Sequence, residues 1–263
     1  MISKLKQNKK MSVRRLCIQT MNYPRMFEEI IKLITEIKVN VDIPISVSCQ
    51  PLEENRMRKL AEAGIERLGI PLDASTETLF ELTKGFKVNG LYRWRDQLQA
   101  LKTAVKVFGK GKVSTHLIAG LGETDKEILY ITQRMKNYSV NTGLFSFTPI
   151  PGTKLEKKEK IPLSRYRRIQ LAHYLITRKK TRFENMNFTN DGELSDLGIP
   201  KERLVKIIRA GTPFKTSGCP DCNRPFYNER PGGPIYNYPR ELRRDEIVKI
   251  ESDFSQNFLQ MRG

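Results

Sequence analysis

No stretch of the 263-residue chain stays apolar long enough to span a bilayer. The basic start, MISKLKQNKKMSVRR, lacks the apolar segment of a signal peptide. Both absences point to a cytoplasmic protein. Histidine is scarce, with only His116 and His173, and no acid–base dyad is visible. His116 is placed to line a cavity, and His173 reads as packing or surface. The four cysteines are too few for a disulfide framework in a chain of this size, which suggests metal or redox chemistry instead. Rossmann and P-loop glycine spacings are missing, as is any recognisable nucleic-acid-binding motif.

What is abundant is positive charge. The net charge is +18, with hydrophobic residues at 38% and charged residues at 29%. The basic residues are spread over 4–15, 154–168, 178–182 and 240–244, with glutamates between them. That distribution describes a solvated surface more than a nucleic-acid stripe, and it would equally suit an acidic protein partner.

From residue 13 the chain reads as strand–helix units. Expected strands are 13–20, 43–49, 65–72, 112–120, 143–150 and 182–189; helices are expected at 24–38, 51–63, 75–83, 92–108, from 124, 162–178 and 201–209. Thr124-Asp-Lys-Glu127 has the capping-box pattern. The series implies an α/β fold with a parallel sheet closed into a partial (β/α) TIM-type barrel; an open doubly wound sheet is the alternative. In a barrel, function collects at the carboxyl ends of strands, and Cys17, Cys49, Asp73, Gly120 and Pro149 are expected there. A basic segment (1–12), the barrel (13–210) and a tail rich in cysteine and proline (211–263) make up the expected organisation. In that tail, SGCPDCNRPFYNERPGGPIYNYPR (217–240) has too many prolines for a regular element, yet holds Cys219 and Cys222 as a Cys-x-x-Cys. This spacing is that of half a zinc knuckle or cluster motif, whereas Cys17 and Cys49 could equally be buried core residues.

Taken together, RRLCIQTMNYP, VSCQPLEENRMRKLAEAGIERLGIPLDAST, STHLIAGLGETDKE and FTPIPGTKLE resemble the radical S-adenosylmethionine enzymes. The resemblance is strongest to biotin synthase and its relatives, including the archaeal two-component lipoyl synthases. It implies a barrel around S-adenosylmethionine and iron–sulfur clusters, with sulfur insertion into an unactivated carbon. Asp73 matches the acid that contacts the cofactor ribose, though Pro71 stands where the family has asparagine. Gly120, Gly122 and Glu123 match the turn that lies against the adenosine. Cys17 and Cys49 match two strand cysteines of an auxiliary cluster, and Ser114 falls where the third would be. The resemblance therefore implies a tail over the barrel mouth that completes an auxiliary cluster, a 4Fe-4S centre or a zinc site, from Cys17, Cys49, Cys219 and Cys222.

The family's radical-generating Cys-x-x-x-Cys-x-x-Cys is absent from these residues. The reading is accordingly of a barrel without its first strand, unable to ligate the radical 4Fe-4S cluster alone. A second radical S-adenosylmethionine subunit and an acidic lipoyl-carrier-type substrate are the implied partners; membrane and nucleic acid are not expected. The competing reading is an inactive metal-binding subunit or a basic nucleic-acid-binding protein.

Overall fold

The computed structural model describes residues 13–218, 222 and 232–257. Its centre is a five-stranded parallel sheet in the order β1-β2-β3-β4-β5. The strands are β1 (Leu16–Gln19), β2 (Ile45–Ser48), β3 (Arg67–Gly69), β4 (Val113–Ala119) and β5 (Val140–Ser146). Between and after them run α1 (Met26–Asn40), α2 (Glu54–Glu62), α3 (Glu77–Thr83), α4 (Trp94–Phe108), α5 (Asp125–Asn137) and α6 (Leu163–Thr177).

The strand order never reverses. Crossovers between parallel strands are right-handed, so an unreversed order puts every crossover helix on the same face. The alternative of an open sheet with helices on both faces requires a reversal and is excluded. The opposite, concave face is left without helices, as in a partial barrel.

Local chemistry explains the elements. In α1, Met26, Phe27, Ile30, Ile34 and Ile37 form the buried stripe, with Glu28 and Glu29 in the first turn and Lys38 in the last. Thr124 caps α5 through a complete capping box with Glu127. In β2, Ile45 and Val47 point into the core shared with the helices, while Ser46 and Ser48 take the other face.

Three expectations need correcting. The segment 182–189 adds no sixth strand to the sheet. Only β6 (Asn187–Phe188) is extended, and it pairs antiparallel with β7 (Leu194–Asp196) in a separate hairpin. The turn signal Asn190-Asp191-Gly192, with Gly192 at φ +79°, decides the local structure there. Second, β5 starts three residues earlier than expected and ends at Ser146. Third, the tail is not irregular throughout: α7 (Lys201–Arg209) is followed by α8 (Arg244–Asn257). In α8, Glu246, Ile250 and Phe254 share one buried stripe, and Phe254 stacks against Phe214. No helix among the described residues is long and apolar enough to cross a membrane.

Candidate functional site

A cavity of about 920 Å³ lies on the concave face of the sheet. Parity and register build its wall. Cys17, Ser46 and Arg67 are lateral neighbours on β1, β2 and β3; one step on, Gln19, Ser48, Gly69, Ser114 and Asn141 form a row across all five strands. His116 and Gly143 follow, with His116 held edge-on to Phe145. All the lining residues of β4 and β5 come from the first half of those strands, and Val13, Arg14 and Arg15 precede β1. The cavity therefore reaches the last residues of β1, β2 and β3 (Gln19, Ser48 and Gly69) but only the first half of the longer β4 and β5.

The tail closes the cavity from the side opposite the strands. Lys215, Ser217, Gly218, Cys222, Pro239, Arg240 and Glu241 line it. Ser217 Oγ accepts the Leu144 amide at 2.8 Å, and a side chain at Gly143 would meet the Ser217 carbonyl. Behind β5, α6 grips the returning chain. The Tyr166 hydroxyl contacts Asn237; Arg167 donates to the Tyr236 and Ile235 carbonyls; Gln170 donates to Tyr236 and Asn237. Tyr236 and Tyr238 are both buried. Phe226 and Tyr227 lie outside the described residues.

Of the four cysteines, Cys17 and Cys222 line this cavity. Cys219 lies outside the described residues. Cys49 goes elsewhere: it shares the parity of Ile45 and Val47, belongs to the apolar core and is only 3% exposed. Burial pushes its thiol up to about 12, so it is a protonated core residue at neutral pH. The interior position beside Cys17 is Ser46, three residues earlier. The alternation of Ile45, Val47 and Cys49 was the signal for this.

The other predicted residues gather at the carboxyl end. Asp73 adopts φ +65° and bridges to Leu117, a conformation that a residue with a side chain takes only at a cost. Its Oδ2 accepts Lys84 Nζ at 2.9 Å. It does not line the cavity. The 120–123 turn is filled by its own acid: the Glu123 carboxylate accepts the amides of Gly120, Leu121 and Gly122. Burial raises the pKa of Glu123 despite these bonds. Gly120 and Gly122 both have left-handed φ, at +105° and +124°. His173 is buried on α6, 2.6 Å from Thr142 Oγ1.

Among the described residues no group of three or more His, Cys, Asp or Glu is placed to hold a metal ion. What sequence reasoning missed is the polar and cationic wall around Cys17: Arg14, Arg15, Arg67, Lys215 and Arg240, with the serines of β2 and β4.

Comparison with known proteins bears on this arrangement. Residues 1–135 match the Radical SAM superfamily. The chain is 26% identical over 151 residues to a biotin synthase of Persephonella marina, covering 56% of this chain and 43% of that protein. It is 30% identical over 130 residues to a GTP 3',8-cyclase of Limosilactobacillus fermentum, covering 49% of this chain and 36% of the cyclase. The chain thus spans less than half the length of these relatives. Among solved structures, the FeFe-hydrogenase maturase HydG from Carboxydothermus hydrogenoformans matches with a TM-score of 0.54 at 16% identity, over 98% of this chain and 58% of that one. Methylornithine synthase (PylB) matches with a TM-score of 0.53 at 16% identity, over 68% of this chain and 52% of that one. At such identities the likeness concerns the fold, a TIM-type barrel.

Proposed function

Because the chain belongs to the radical SAM superfamily, we propose that it is a sulfur-inserting protein of the biotin and lipoyl synthase group, with an auxiliary iron–sulfur cluster on Cys17 and the tail cysteines. One observation supports this most: the tail brings Cys222 to the cavity that Cys17 lines from β1. Two thiols from distant parts of the chain thus line one cavity, and Cys219 is three residues from Cys222 in sequence. Soft sulfur donors of this kind suit an iron–sulfur centre. Cys49 does not fit as a ligand in its core position. When bound, such a cluster would serve as the sulfur source for a substrate carbon radical. This chain's part is to hold it away from water, with Tyr166, Arg167 and Gln170 fastening the tail.

S-Adenosylmethionine would lie against the carboxyl-end turn, with Asp73 towards its ribose and Gly120, Gly122 and Glu123 shaping the wall. The donor set for the radical-generating cluster does not fit: these 263 residues contain no Cys-x-x-x-Cys-x-x-Cys. That part belongs, on this reading, to a second radical SAM subunit, and the basic surface suits an acidic lipoyl-carrier-type substrate.

The test is iron content and visible absorption after anaerobic reconstitution. Cys17→Ser and Cys222→Ser should each lose most of the iron, while Cys49→Ser should keep it. A colourless zinc protein would overturn the reading. So would a Cys222→Ser variant that loses its metal beside a Cys17→Ser variant that keeps all of it. A second expectation follows from the missing donor set: the reconstituted 263-residue chain should form no 5′-deoxyadenosine from S-adenosylmethionine above a no-protein control. Turnover above that control would show that the cluster is ligated in some other way.

A further inference from the structure

The cavity offers more than thiols. Five cationic side chains line it: Arg14, Arg15, Arg67, Lys215 and Arg240. Among the described residues, three carboxylates stand against them. Glu66 pairs with Arg15 and lies 3.4 Å from Arg67 Nε; Glu241 pairs with Lys215; Glu246 pairs with Arg240. Arg15 and Arg67 thus share the single Glu66 carboxylate, in a partly enclosed space where charge is screened less than on the surface.

Deeper in, the wall changes character. A Cβ built on Gly69 would lie 3.2 Å from Ser48 Oγ and 3.3 Å from Ser114 Oγ. Two hydroxyls from β2 and β4, the strands on either side of β3, thus converge over one glycine, and neither makes a hydrogen bond to another described residue. A side chain on Gly69 would crowd both hydroxyls. Hydroxyls are hard donors, poorly matched to iron–sulfur ligation but well matched to oxygen atoms of an anion.

We propose that this cavity is a binding site for an oxyanion group, a phosphate or a carboxylate. The Ser48 and Ser114 hydroxyls would donate to it, and the Arg15–Arg67 wall would supply the charge. The site requires no metal, so it stands or falls separately from the cluster. Charge-assisted hydrogen bonds to arginine give such a group both affinity and orientation.

The experiment uses the full chain freed of iron, at constant ionic strength, with phosphate, acetate or chloride as the added anion. Phosphate or acetate, at about a hundredfold excess over its dissociation constant, should raise Tm by roughly 5–10 °C over chloride. Titration calorimetry with the effective anion should show affinity weakened about tenfold or more in Arg67→Gln. The Ser48→Ala/Ser114→Ala double variant, which only removes cavity-facing hydroxyls, should weaken it as well. A response to phosphate alone would identify a phosphoryl ligand, and a response to acetate a carboxylate one. Equal Tm in all three salts would overturn the proposal. Undiminished affinity in both variants would also overturn it.

Discussion

Arg167→Ala should destabilise the protein by about 3–5 kcal/mol and release the tail from the sheet. The Arg167 guanidinium is buried at 3% exposure and donates to two main-chain carbonyls, those of Ile235 and Tyr236, and to Gln170 Oε1. It also sits 5.1 Å from the Tyr238 ring centre and 5.5 Å from that of Phe214. Alanine would strip the Ile235 carbonyl of this donor, leave the Tyr236 carbonyl to Gln170, and open a cavity beside two aromatic rings. Lysine keeps the charge but cannot bridge both carbonyls, so Arg167→Lys should fall between alanine and wild type. Urea unfolding gives the free energies, and limited proteolysis reports whether the segment after residue 210 is cut first. A loss below about 1 kcal/mol for alanine would mean that Tyr166 and Gln170 hold the tail without it.

The second large effect is an acid sensitivity centred on His173. Burial lowers its pKa from 6.5 to about 4 in the folded chain. Between those values the unfolded chain binds a proton that the folded chain refuses. The stabilisation is therefore complete above pH 6.5 and drains away as pH falls towards 4, by on the order of 3 kcal/mol. Other groups titrate in the same range, so the decisive quantity is the difference between wild type and His173→Gln. Glutamine can still bond Thr142 but cannot take up the proton. Plotted against pH, the stability of the glutamine variant should fall less steeply between 6.5 and 4. Parallel curves would refute the assignment.

Periodicity carried most of the architecture. The strand–helix succession and the capping box at Thr124 were each visible in a few residues, and they set the order of the first five units. Two misreadings had physical causes. The 182–189 segment has strand-forming residues, but the Asn-Asp-Gly turn that follows folds it into its own hairpin. The run after Pro239 was counted with the proline-rich tail although it contains no proline, and its buried stripe makes α8. The site was legible in part. Cys17 and the tail thiol could be named from sequence. Cys49 could not be separated from Ser46 without attending to parity, and the arginine wall depends on a concave face that no single segment encodes. The tail lies against the first half of β4 and β5, so the cavity reaches strand ends only on β1, β2 and β3.

The unreversed strand order also bears on how the molecule is put together. Each strand pairs with the one before it in the chain, so the sheet can grow unit by unit as the polypeptide emerges, at little loop-closure cost. The contacts that seal the cavity span far more chain: 73 residues separate Leu144 from Ser217, and 69 separate Arg167 from Tyr236. On loop-closure cost those contacts are expected to form last. Until they form, the concave face and its serines, arginines and Cys17 stand open to whatever is to be loaded there. Docking of the tail is thus the step that covers this face.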